Sequence, residues 1–362
     1  MAVPTHVLRL AVADFRNHAL FQAEPGPARI VLLAGPNGAG KTNLLEALSL
    51  LSPGRGLRGA RLADMARVGG PGAFRVAATV RTDPGVPPIV LHTFTEGRAP
   101  GRRVLDVNGA AAPLASLAQW FPVLWATPEM DRLFAGPASE RRRFLDRLAL
   151  ALFPDHSRHA TRYEAALRAR ARLLAGDRPW DPDWLASLEA EMALHGMALA
   201  EARRTTVARL AARLTAADDG RFPAPRLSLV GDAPTADWRA RLEAARPADA
   251  AAGRATDAPH RVDLFACHPV SGLPAAQAST GEQKAMLISL LLAHAALVAD
   301  LTRRVPLLLL DEAGAHLDAT RRRALLDRLD ALGGQAWLSA TEARLFDPDR
   351  VALVPVGPPD AR

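Results

Sequence analysis

The segment Gly35-Pro-Asn-Gly-Ala-Gly-Lys-Thr42 constrains this chain more than any other. Residues 29–34 before it, Arg-Ile-Val-Leu-Leu-Ala, are apolar without a break from Ile30 on, as in a strand buried on both faces. Leu44, Leu45, Ala47, Leu48 and Leu51 follow at helical spacing. Strand, Gly-rich turn and helix in that order form a loop whose backbone N–H groups wrap phosphates at a helix N-terminus. Gly35, Pro36, Asn37, Gly38, Ala39, Gly40, Lys41 and Thr42 are therefore the candidate ATP-binding set. In this pattern the lysine reaches the β- and γ-phosphates, and the threonine hydroxyl serves Mg²⁺. The expected core is α/β.

Composition supports the loop independently. Of 45 basic residues only two, Lys41 and Lys284, are lysine. Such a bias fits a genome that replaces lysine wherever arginine will serve. Arginine is a planar fork and lysine a compact point charge, so lysine persists where one ammonium must fit a tight cradle. The net charge of +7 points to an anionic partner, nucleic acid before a membrane surface. A single cysteine, Cys267, excludes an intramolecular disulfide framework and fits a reducing cytosol. The start lacks a signal-peptide pattern, and the longest apolar stretch, 287–299, is too short for a bilayer. A soluble, cytoplasmic protein is expected.

A second motif lies far along the chain. Val305-Pro-Leu-Leu-Leu-Leu-Asp311-Glu312 reads as a buried strand ending in two carboxylates. Asp311 suits the magnesium shell beside Thr42, and Glu312 can polarise an attacking water, with Lys41 as its catalytic partner. Some 25 residues earlier, Ser279-Thr280-Gly281-Glu282-Gln283-Lys284 precedes an apolar helix. By itself this segment reads as an ordinary helix cap or as a second anion-binding feature.

The organisation follows from hydrophobic periodicity. Residues 7–14, 73–81, 89–95 and 103–107 read as strands, the last three as antiparallel partners. From about Ser139 the pattern becomes helical, and residues 184–214 repeat at 3.5–3.6 over a narrow stripe beginning at Trp184. Residues 245–259 read as a surface loop. The expected architecture is an α/β head split between residues 1–138 and 261–362, with a helical lobe or short arm at 139–260.

In context the segment Ser279–Lys284 resembles the signature of ABC-type ATPases, and Asp318 in His316-Leu317-Asp318 falls where that class has its D-loop. The resemblance implies a split ABC-type P-loop head in which the signature acts in trans on a nucleotide held by a second subunit. It narrows to the RecF family of bacterial recombination mediators. Asp14-Phe-Arg-Asn-His18, Leu51-Ser-Pro-Gly-Arg-Gly-Leu-Arg58, Pro128-Glu129 with Arg141-Arg-Arg-Phe-Leu-Asp146, and Pro259-His260-Arg261 with Asp263-Leu264 are similar to that family's segments in the same order. Membership implies a slow, DNA-stimulated ATPase using ATP and Mg²⁺, and a homodimer formed on ATP. It further implies binding at DNA gaps or single/double-strand junctions, and loading of RecA with RecO and RecR. Arg55, Arg58, Arg61, Arg141, Arg142 and Arg143 are the candidate DNA-phosphate contacts. ABC enzymes commonly place a histidine after the last core strand, where Ser339-Ala-Thr341 stands here, so Thr341 is the candidate sensor. The middle motif leaves open whether Glu129 or Asp131 faces the magnesium water. Two alternatives share these motifs: an ATP-gated DNA clamp in which hydrolysis is incidental, and a transporter nucleotide-binding subunit.

Overall fold

A computed structural model describes residues 2–83, 85–176, 180–216, 222–231, 237–255 and 262–357. Pro259-His260-Arg261 lies outside the described residues. The chain divides into two compact units, one of Met1–Arg132, Ala217–Ala224 and Ala278–Arg362, the other of Leu133–Ala216 and Pro225–Gln277.

The first unit opens with β1 (Val3–Pro4), β2 (His6–Phe15), β3 (His18–Ala23), β4 (Ile30–Ala34) and helix α1 (Lys41–Ser49). Strands β5 (Arg75–Arg81), β6 (Ile89–Glu96), β7 (Ala99–Val107) and β8 (Ala110–Ala112) follow, then α2 (Leu117–Trp120) and β9 (Val123–Ala126). A six-stranded antiparallel sheet runs β3-β2-β5-β6-β7-β8. Asn108-Gly109, both at positive φ, turns β7 into β8.

The second unit carries α3 (Ala138–Leu152), α4 (His156–Leu174), α5 (Pro182–Ala216), β10 (Arg226–Val230), α6 (Trp238–Ala244), α7 (Arg246–Ala252) and β11 (Asp263–Cys267). Helix α5 extends 35 residues and buries Met192, His195, Leu199, Thr206, Leu210 and Leu214, the expected stripe. Trp184, expected to begin that stripe, is 55% exposed, and Leu185 takes the inward position instead. Residues 246–252, within the stretch expected as loop, form α7, because Pro247 sits in its first turn and Gly253 ends it in the left-handed conformation. Residues 262–277, expected in the head, fall in this unit because β11 pairs antiparallel with β10.

The chain then returns to the first unit with α8 (Thr280–Thr302), β12 (Arg304–Val305), β13 (Leu307–Leu310), α9 (Ala319–Leu332), β14 (Ala336–Ala340) and β15 (Ala352–Pro355). A parallel sheet runs β15-β4-β14-β13-β9. Every residue of β4, β9, β13 and β14 is buried, as expected where both faces are covered. Leu44, Leu45 and Leu48 of α1 share one apolar cluster with Val31, Leu309 and Trp337 of the parallel sheet and Val12 of the antiparallel sheet. Gln335 supplies a buried polar stitch: its Oε1 accepts from the Val7 N–H (2.8 Å) and Trp337 Nε1 (2.9 Å). Helix α8 is long and apolar enough to cross a membrane, yet 78% of its most apolar stretch is buried inside the protein. That fraction fits a core helix.

Candidate nucleotide site

The parallel sheet presents two neighbouring strands, β4 and β14, whose carboxyl ends lead into the loops that matter. After β4 the chain enters Gly35–Gly40 and then α1, so the loop's N–H groups lie at a helix N-terminus. Gly40 adopts φ 98°, and a Cβ there would collide with the side chains of Asn17 and His18. Glycine is thus required on two counts. Lys41 turns back over the loop and donates to the Gly35 carbonyl (2.7 Å) and the Pro36 carbonyl (2.8 Å). Burial pushes the Lys41 ammonium down from its ordinary value, and the carboxylates of Asp311 and Glu312 pull it back up.

On the facing side, β13 runs directly into Asp311. Thr42 Oγ1 donates to its carboxylate at 2.9–3.0 Å, joining the phosphate loop to the second motif across 269 residues. Ser339 of β14, fully buried, donates from its Oγ to Asp311 Oδ1 at 2.5 Å. The same Oγ accepts the Glu312 N–H at 2.8 Å. Glu312 itself stands at φ 48°, an uncommon left-handed conformation for a residue with a side chain. Its carboxylate is exposed and has no hydrogen-bond or ion-pair partner among the described residues. Asn37, Gly38, Lys41, Thr42, Asp311 and Glu312 help line a cleft of about 220 Å³. One ammonium, a ring of loop N–H groups, and two hard oxygen donors at Thr42 and Asp311 fit a nucleoside triphosphate with Mg²⁺.

The linear sequence marks Asn17 and His18 only through the family resemblance, not as site residues. In the structure Asn17 Nδ2 donates to the Gly38 carbonyl (3.3 Å), and His18 Nε2 lies 3.1 Å from the Gly40 carbonyl. Burial holds the His18 ring below its ordinary pKa, against the pull of the Gly40 carbonyl. The neutral ring with its proton on Nε2 is the donor that this contact needs. Arg16, Asn17, His18, Phe21 and Val356 border a further cavity of about 550 Å³ on this flank of the loop. Phe21 thereby supplies an aromatic ring near the loop that the linear sequence does not reveal.

The other expected residues fall into distinct places. Ser279 caps α8 in a capping box: its Oγ accepts the Glu282 N–H (3.3 Å), and Glu282 Oε2 accepts the Ser279 N–H (2.9 Å). Ser279 and Thr280 are exposed and Gly281 partly so, whereas Gln283 and Lys284 are buried within their own unit. Asp318 is exposed and caps α9 through the Arg321 N–H, which lowers its carboxyl pKa. The 3₁₀ turn Pro128–Arg132 leaves β9, whose Ala126 carbonyl accepts the Asp311 N–H. On that turn Glu129 is exposed, while Asp131 is buried and pairs with Lys284 Nζ at 3.2 Å. Burial raises the Asp131 carboxyl pKa against the opposing pull of Lys284. The inward pairing leaves Glu129 as the free carboxylate of the two. Thr341 is exposed beyond the end of β14, and Ser339 lines the cleft in its stead.

The arginines separate equally clearly. Arg58 lines the cleft and pairs with the fully buried Glu46 (3.1 Å), as Arg16 does (2.8 Å). Arg55 and Arg61 are exposed, Arg61 beside Asp64. Arg141 is committed internally, to Asp263 (2.6 Å) and to the Phe134 and Gly136 carbonyls. Arg142 is half-buried and Arg143 exposed.

A parallel sheet bearing the phosphate loop, an antiparallel sheet beside it and a capped helix before the acidic strand together define an ABC-type head of the SMC class. Residues 6–347 match the family described as RecF/RecN/SMC N terminal domain. An Smc head domain with an extended coiled coil from Pyrococcus furiosus aligns with a TM-score of 0.53 at 14% identity, covering 94% of this chain and 91% of that one. Within this class the chain belongs to the RecF family. It is 47% identical to the DNA replication and repair protein RecF of Rhizobium meliloti, over 94% of this chain and 93% of that protein. The RecF of Rhizobium rhizogenes is 46% identical over the same shares. The solved structure of the recombination mediator protein RecF-ATPrS of the RecFOR pathway superposes with a TM-score of 0.84 at 22% identity, covering 98% and 97% of the two chains. The split α/β head with an inserted helical lobe is borne out, and the transporter alternative is closed.

Proposed function

We propose that the protein is a cytoplasmic, ATP-dependent DNA-binding repair protein that hydrolyses ATP slowly and faster on DNA. The observation that carries this reading is the closure of Thr42 on Asp311 behind Lys41, in a chain of the RecF family. The loop N–H groups and Lys41 hold the triphosphate, and the cavity beside Asn17, His18 and Phe21 accommodates the nucleoside. Thr42 and Asp311 would hold Mg²⁺, with the free carboxylate of Glu129 on the adjoining turn available to its hydration shell. When bound, the metal neutralises charge developing on the phosphates. The Glu312 carboxylate, without a hydrogen-bond or ion-pair partner among the described residues, orients and polarises the attacking water.

Exposed Ser279, Thr280 and Gly281, with Asp318, complete the site in trans, so ATP drives a homodimer. The basic surface, with Arg55, Arg61, Arg142 and Arg143, contacts DNA phosphates at gaps or single/double-strand junctions. RecO and RecR are its partners in loading RecA. The test is sizing with ATP and with ADP, beside a Ser279→Arg variant. Wild type is expected to dimerise on ATP alone and the variant to stay monomeric. A variant that dimerises like wild type rules out the composite site. Turnover measured with and without gapped DNA distinguishes this reading from a clamp in which hydrolysis is incidental.

A further inference from the structure

The only lysine besides Lys41 is buried, and it does not face the cleft. The Lys284 side chain is 4% exposed, and its ammonium has two acceptors: Asp131 Oδ2 at 3.2 Å and the backbone carbonyl of Glu312 at 3.1 Å. Glu312 is thereby held on both backbone faces. Ser339 Oγ takes its N–H, and Lys284 takes its carbonyl. A side-chain-bearing residue at φ 48° is strained and persists only where its surroundings over-determine it. The direction of the Glu312 carboxylate follows from that backbone, because Cα–Cβ is fixed by φ and ψ.

We infer that Lys284 is a positioning residue that ties helix α8 and the Pro128–Arg132 turn to the backbone of Glu312, fixing the water-activating carboxylate. This deepens the proposed ATPase function and rests on it. The chemistry favours lysine at this position. A compact ammonium satisfies a carboxylate and a carbonyl at once in a closed space, whereas a guanidinium brings a larger planar fork. The chain uses arginine nearly everywhere else, and here it does not. Lys284 also stands five residues beyond Ser279, on the same helix whose exposed N-terminus is the proposed trans contact. Engagement of that N-terminus therefore bears on a helix already fastened to Glu312 of its own subunit.

The bland alternative is that Lys284 is only the counter-ion of buried Asp131. The full chain is compared as wild type, Lys284→Met, Lys284→Arg and the double variant Asp131→Leu/Lys284→Met. Removing Lys284 alone leaves Asp131 buried and unpaired, so the melting temperature should fall. Replacing both with apolar groups should recover it. Three measurements then separate the roles. ATP affinity should stay within about 3-fold of wild type in the double variant, because the phosphate loop is untouched. Turnover should remain down on the order of 10- to 100-fold, as for a misplaced catalytic group. Without nucleotide, hydrogen exchange over 311–316 should be faster in the double variant than in wild type. Lys284→Arg should behave like Lys284→Met. Recovery of turnover and of exchange protection together with melting temperature would overturn the inference. A wild-type chain that binds no ATP would instead sink the proposed function, and the nucleotide-free exchange result would still report whether the tether exists.

Discussion

The helical unit and the nucleotide cleft both gather charge, and they use it in opposite ways. In the helical unit, Arg170 is 1% exposed and each of its three side-chain nitrogens has an acceptor: Nε meets Glu189 (2.9 Å), Nη1 meets Asp249 (2.5 Å) and Nη2 meets the Leu242 carbonyl (2.7 Å). Arg246 closes the other side of Glu189 at 2.6 Å. Charges there neutralise one another and fasten α4, α5 and α7 together. In the cleft, Lys41 rests on neutral carbonyls, Asp311 is held by two hydroxyls, and Glu312 has only backbone ties. Its charged groups keep their capacity for an outside ligand. Buried charge answered by charge marks architecture, and charge held by neutral groups marks a site.

The sharpest way to break this contrast is Glu312→Gln. Turnover should fall by about 10²- to 10⁴-fold with ATP binding retained, measured by phosphate release beside nucleotide affinity. Normal hydrolysis would remove Glu312 from the chemistry. On the architectural side, Arg170→Met takes a buried charge partner from both Glu189 and Asp249 and should cost roughly 3–5 kcal/mol in denaturant unfolding. ATP affinity of the surviving folded protein should not change. Ser339→Ala is intermediate, since it takes one donor from Asp311 and the acceptor from the Glu312 N–H. A loss of about 1–3 kcal/mol is expected, together with weaker Mg²⁺-dependent nucleotide binding by calorimetry.

The smallest effect tests the sign of an ionisation. Asp146 lies between His156 (2.9 Å) and Arg203 (2.7 Å). Burial pushes its carboxyl up, but the hydrogen bonds and charges of His156 and Arg203 outweigh it, and the net shift is downward. A depressed carboxyl contributes stability above its unfolded value, near about 3.9, and loses it as pH falls through the lower folded value. Its side chain is 35% exposed, so screening trims the contribution. Asp146→Asn should cost about 1–2 kcal/mol at pH 7, and the gap to wild type should close below about pH 4. A gap independent of pH would show that packing, and not charge, holds this corner.

Much of this was legible in the linear chain wherever function is written in consecutive residues. A loop such as Gly35–Thr42 is set by glycines at required conformations between a strand and a helix. Leu307–Leu310 reads as buried because both faces need apolar groups, and Ser279–Lys284 reads as a cap because it directly precedes an apolar helix. These are local constraints on backbone and burial. The roles of Lys284, Ser339, Asn17 and His18 were not legible, and neither was the commitment of Arg141 to Asp263. Each depends on a partner far away along the chain.

The sequence alone thus determined that a phosphate loop exists, that an acidic strand end accompanies it, and that lysine is kept at two positions. Only the tertiary structure decided what those features face. It brought Thr42 to Asp311 across 269 residues and Lys284 to Asp131 across 153. It also turned Arg58 toward the cleft and Asp131 away from it. The physical reason is that hydrogen bonds and ion pairs act over about 3 Å, and the packing of the sheets and helices, not sequence separation, sets which groups come that close.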